Sequence, residues 1–88
     1  MPPPPADEPT EEQVRALWAS NLKTRREAAS LSQGELAARA GVHQTGISAI
    51  ERGVHMGTIV TRYRLAKAFG VQIDDLFPNP RVAAQVAS

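Results

Sequence analysis

The sequence has no cysteine among its 88 residues, which excludes a disulfide framework, a thiolate zinc finger and an iron–sulfur site. Only four side chains are aromatic, Trp18, Tyr63, Phe69 and Phe77, too few for a platform on which successive bases of a single strand would stack. Proline is absent from Thr10 through Phe77, so no helix in that span is interrupted by one. No run of about 18 apolar residues occurs, so nothing reads as a membrane span. The N-terminus has neither the basic nor the apolar region of a secretory signal, and a soluble, cytoplasmic protein is expected. His43 and His55 have no further ligand at metal spacing. There is no phosphate loop and no nucleophile triad, so the expectation is no enzyme, no cofactor and no metal.

What is present is unevenly distributed. The formal net charge is only +1, but residues 1–12 carry four acids and no base, whereas residues 13–70 carry nine bases against three acids. A basic body behind an acidic arm suits a polyanionic partner better than the total suggests. The prolines stand at positions 2, 3, 4, 5, 9, 78 and 80 and mark the boundaries. Residues 1–9 read as a disordered acidic Pro-rich arm, 10–77 as one folded domain and 78–88 as a short tail.

Within the domain the pattern is helical throughout. Thr10 and Gln13 form a capping box, and Val14, Leu17, Trp18, Leu22, Ala28 and Ala29 follow at helical spacing, predicting a helix over 11–29. Ser32, with Glu35 three residues on, opens a short helix that Gly41 ends. A third runs from Gln44 to Arg52, burying Ile47 and Ile50. Thr58 caps a fourth, with Ile59, Tyr63, Ala66 and Phe69 on one face, and Asp74 opens a last turn that Pro78 stops. The fold class is therefore all-α, with five helices.

Residues 33–52 carry the functional signal. Two short helices meet at a tight glycine turn, with the small Ala37 where their backbones approach and Leu36, Ala40, Val42, Ile47 and Ile50 as apolar contacts. That is the layout of a helix-turn-helix, whose second helix enters the DNA major groove.

The sequence resembles the Cro/C1-type (XRE) helix-turn-helix regulators from Trp18 to Leu76. The resemblance rests on four joint pieces at matching spacing. They are Leu22 with Arg26, the run from Leu31 to Val42, the run Ile47-Ser48 through Gly53, and the run from Leu65 to Leu76. It implies a compact five-helix, lambda-repressor-like DNA-binding domain. Gln33 matches a position that holds a phosphate oxygen, as a helix N-terminus suits. Gln44, Thr45, Ser48 and Ala49 match the outward, base-reading positions of the recognition helix, where Gln can pair with adenine and a methyl can touch thymine. His43, Arg52, His55 and Lys23 match or neighbour positions that meet the sugar–phosphate backbone. Arg26 and Glu51 match an ion pair that orients the recognition helix.

Three residues depart from the pattern. Gly46 lies in the first turn of the recognition helix, Gly57 replaces a proline before the fourth helix, and Arg62 occupies a usually apolar position. The expectation is a regulator of double-stranded DNA, acting as a repressor and as a homodimer on an inverted repeat. Its dimer surface is expected near Arg62, Leu76 and Phe77, with Val82, Ala83 and Val86 extending it. The same pattern serves antitoxins and restriction–modification controllers, which meet a protein partner as well as DNA.

Overall fold

Helix boundaries follow local chemistry. In the computed structural model, which describes residues 9–79, the first helix, α1 (Glu11–Ala28), begins at a reciprocal cap. The Thr10 amide donates to Gln13 Oε1 at 2.8 Å and the Gln13 amide to Thr10 Oγ1 at 3.1 Å. The second, α2 (Gln33–Ala40), begins the same way, with Ser32 and Glu35 exchanging hydrogen bonds of 3.0 Å each. Hydrogen bonds donated to the Glu35 carboxyl by the Ser32 backbone amide and hydroxyl hold it below its ordinary range. Gly41 ends α2 at φ +69°, and Val42 donates back to the Ala37 carbonyl, closing a Schellman turn. Three further helices follow: α3 (Gln44–Glu51), α4 (Ile59–Ala68) and the single turn α5 (Ile73–Leu76). Among the described residues there is no strand, and the fold is all-α.

One connection carries no glycine to mark it. Ser30 takes φ +58° between α1 and α2, and Leu31 donates to the Arg26 carbonyl across the turn. A non-glycine residue in that region costs about 1–2 kcal/mol, which the burial of the adjoining Leu31 offsets.

The core is aliphatic. Leu22, Leu36, Ile47, Ile50, Leu65 and Leu76 are fully buried, each such side chain stabilising by about 1.5–3 kcal/mol. Helix α1 packs on α3 and α5, α2 on α3 and α4, and α4 on α5. Ala37 is buried, as the close approach within the helix-turn-helix requires.

The inner face of α4 is not the one that joins Ile59, Tyr63, Ala66 and Phe69. Leu65 and Ala66 are buried, but Ile59 and Tyr63 are 68% and 58% exposed. The stripe that packs inward is Arg62, Leu65, Ala66 and Phe69, rotated one position around the helix. Arg62 fits there because its guanidinium lies over the Trp18 ring, 4.8 Å from the centroid. Trp18 is itself closed in, donating from Nε1 to the Pro78 carbonyl at 2.8 Å and meeting Phe77 edge-on at 5.5 Å.

That closure also takes up two of the residues expected at a dimer surface. Leu76 is fully buried and Phe77 is 3% exposed within a single chain, so neither is available to a second copy as folded. Val82, Ala83 and Val86, and the arm over residues 1–8, lie outside the described residues.

Candidate nucleic-acid interface

Helix α3 is divided into two sides. Ile47, Ala49 and Ile50 face inward and are buried, whereas Gln44 and Thr45 are exposed and Ser48 is half-exposed. Ala49, expected among the outward positions, is 8% exposed and belongs to the packed side. At 3.6 residues per turn Ala49 lies about 100° around the helix from Ile50, at the border of the two sides, and its small side chain is covered there. The outward group is Gln44, Thr45 and Ser48.

The far end of α3 is pinned to α1. Arg26 grips Glu51 through two parallel bonds, Nε to Oε2 at 2.7 Å and Nη2 to Oε1 at 2.9 Å. This is the planar fork that guanidinium and carboxylate favour. The side chains are only 13% and 4% exposed, and Arg26 Nη1 donates in addition to the Leu31 carbonyl at 2.7 Å. Burial pushes the Glu51 carboxyl up, but hydrogen bonds from Arg26 and Gln33 and the charges of Arg26 and Lys23 outweigh it, so its pKa is held below the ordinary range.

Gln33 proves to be part of the same cluster. Its Nε2 donates to Glu51 Oε1 at 3.1 Å, which orients the amide and leaves one N–H and the carbonyl oxygen for other partners. Gln33 is also the first residue of α2, where backbone amides have no intrahelical acceptor. One turn away in space, the Gln44 amide folds across Gly34. A Cβ at Gly34 would come within 3.2 Å of Gln44 Oε1, so the absence of a side chain at 34 makes room for Gln44. Lys23 is exposed on α1, near enough to Glu51 for its charge to act there.

The remaining polar groups lie at the two ends of α3. His43 is exposed, occupies the N-cap position and makes no side-chain cap bond. Arg52 folds back along the helix, its Nε donating to the Ser48 carbonyl and hydroxyl at 3.3 Å each. His55 Nδ1 accepts from the Gly57 amide at 3.1 Å; in the neutral ring this places the proton on Nε2 and leaves a donor there.

The loop after α3 is bonded to α1 and to itself. Gly57 sits at φ +74°, which proline cannot adopt, and a Cβ there would come within 2.9 Å of Ile50 Cδ1. Arg15, given no role in the sequence reading, donates from Nε to the Gly53 carbonyl at 3.1 Å and pairs with Glu11 at 2.9 Å. The four-residue spacing of Glu11 and Arg15 was the one signal available. Arg64 donates from Nη1 to the Gly41 carbonyl at 3.1 Å and so secures the turn between α2 and α3. Gly46 has nothing within 4 Å of where a Cβ would stand, so packing within the chain does not require glycine there.

Three comparisons agree with this geometry. Residues 22–76 match the helix-turn-helix family of the Cro/C1 type. A 58-residue stretch, 66% of the chain, is 41% identical to an uncharacterized HTH-type transcriptional regulator of Sinorhizobium fredii, covering 75% of it. The same length is 38% identical to another of Methanocaldococcus jannaschii, covering 88% of it. In three dimensions the chain is similar to the crystal structure of a hypothetical transcription factor from Neisseria, with a TM-score of 0.71 and 32% identity over 93% of this chain and 94% of that one.

Proposed function

Because the chain belongs to the helix-turn-helix family of DNA-binding transcriptional regulators, we infer that it is a sequence-specific reader of double-stranded DNA that represses transcription as a homodimer on an inverted repeat. The observation that carries this reading is the division of α3. One side is buried and clamped through Glu51, and the other presents Gln44, Thr45 and Ser48 to solvent.

In this reading α3 enters the major groove. The Gln44 amide makes the bidentate contact to adenine, and Thr45 and Ser48 meet neighbouring base edges. Gln33 holds a phosphate oxygen with its backbone amide and its remaining side-chain N–H, while Glu51 fixes the angle at which it does so. His43, Arg52, His55 and Lys23 lie against the backbone on either side, His55 through its Nε2 donor. One reading helix with three base-facing side chains offers few contacts, and two-fold pairing doubles them. The chain acts where the chromosome is, in the cytoplasm.

Among the described residues no group of acids and histidines could hold a metal ion, and no helix is long and apolar enough to cross a membrane. Duplex affinity measured against salt tests the reading. Phosphate contacts release counterions, so affinity should fall steeply as salt rises. Affinity independent of salt would overturn the reading.

A further inference from the structure

The face of α4 that the core does not use is apolar at its centre. Val60 and Tyr63 are 54% and 58% exposed. Beside them, between α4 and the C-terminal end of α2, lies a shallow concavity lined by Arg39, Ala40, Val60, Tyr63, Arg64, Lys67 and Ala68. Its charged lining residues are three bases with no acid among them. None of the three is in an ion pair, the pairs of the described residues being Glu11–Arg15 and Arg26–Glu51. The charge of Arg39 acts through space on Glu35, one turn before it on α2. Arg39 and Lys67 also stand in the last turns of α2 and α4, so the helix dipoles hold them without a partner.

We propose that this concavity docks an acidic segment of a partner protein, seating an apolar side chain on Val60 and Tyr63 and carboxylates against Arg39, Arg64 and Lys67. Charge and hydropathy together select this occupant. A second copy on a two-fold axis would bring the same patch to itself, setting three bases against three bases. Nucleic acid would satisfy the bases but leave Val60 and Tyr63 against phosphate, with no apolar surface to cover them. An acidic segment with an apolar anchor satisfies both.

The position is compatible with DNA binding. Gln33 and Arg39 are at opposite ends of α2, about 9 Å apart along the axis at 1.5 Å per residue. A partner seated at the Arg39 end leaves Gln33, Gln44 and Ser48 uncovered. The proposal does not depend on the operator reading, and a regulator that failed to select a DNA sequence would still have this surface.

The test is a titration of the full chain, followed by amide chemical shifts. The probes are a short helical peptide with Leu and Phe on one face flanked by Glu, its Lys-for-Glu counterpart and its Ala-for-Leu/Phe counterpart. The expected result is shifts at Ala40, Val60, Tyr63, Lys67 and Ala68 with the first peptide alone, in free and duplex-bound protein alike. Lys67→Glu, at an exposed position that leaves the core intact, should weaken the first peptide at least about tenfold and leave the mean helicity unchanged. No shifts with the first peptide, or shifts at Gln33, Gln44 and Ser48 instead, would overturn the proposal. So would equal binding of the Ala counterpart, which would reduce the surface to charge alone. A mass in sedimentation that falls to monomer in Val60→Glu would give the face to a second copy and overturn it equally.

Discussion

The two helices of the helix-turn-helix are equal in length and differ in how their N-terminal ends are held. Helix α2 supplies its own ends: a reciprocal Ser32–Glu35 cap, an acid in the first turn, a base in the last, and a left-handed glycine at its close. Helix α3 shares only the last of these: Gly53, at φ +72° just past its end, closes it with Val54 donating to the Ala49 carbonyl at 2.9 Å. Its N-cap His43 makes no side-chain bond, its first turn has no acid and its last no base, and Gly46 costs about 0.8–1.0 kcal/mol relative to alanine. What holds α3 is tertiary: Ile47, Ala49 and Ile50 in the core and the Arg26–Glu51 clamp.

The comparison is broken most severely at the clamp. Glu51→Ala strands Arg26 in a largely buried site and should cost about 3–5 kcal/mol, read as a lowered urea midpoint. Titrating the clamp acts in the same direction. The Glu51 carboxyl is held below its ordinary range, so the clamp's contribution is complete above the unfolded value, about 4.3, and is lost as pH falls through the lower folded value. Glu51→Gln should flatten that part of the stability profile. Glu35, which is lowered too, leaves a residual slope.

On the outer side of α3 the effect moves from stability to reading. Gln44→Ala should cost about 1–3 kcal/mol of duplex affinity and relax preference at one base pair per half-site, with the thermal midpoint barely moved. Gln33→Ala should instead weaken all duplexes alike. A sequence-selective loss there would contradict its phosphate role.

The smallest effects sharpen the contrast between the helices. Ser32→Ala removes the α2 cap and should cost about 1 kcal/mol, whereas His43→Ala removes no cap bond and should cost less. Gly46→Ala meets open space and should stabilise α3 by about 0.8–1.0 kcal/mol. Affinity falling while stability rises would assign Gly46 to close approach of the duplex. Unchanged affinity would give it no role there.

Much of this was legible in the sequence because it is local. Thr10, Ser32 and Thr58 bond to residues three positions on, and Gly41 marks its turn by itself. The outward positions Gln44, Thr45 and Ser48 were implied by the family resemblance, and all three have solvent-accessible side chains. Three things were not legible, each for a spatial reason. Ala49 is small enough for either side of α3, and only packing places it inside. The inner stripe of α4 depends on Trp18 receiving Arg62 from another helix. Gln33 with Glu51 and Arg15 with Gly53 join residues 18 and 38 positions apart, distances over which no periodicity speaks.

The central claim is that the exposed side of α3 reads base pairs and that two copies read them together. Selecting bound duplexes from a random pool and sequencing them tests both at once. The account predicts two inverted half-sites, centres about 10–10.5 base pairs apart, each losing preference at one base pair in Gln44→Ala. A pool recovered without sequence enrichment, or enriched identically by the wild type and Gln44→Ala, would contradict it.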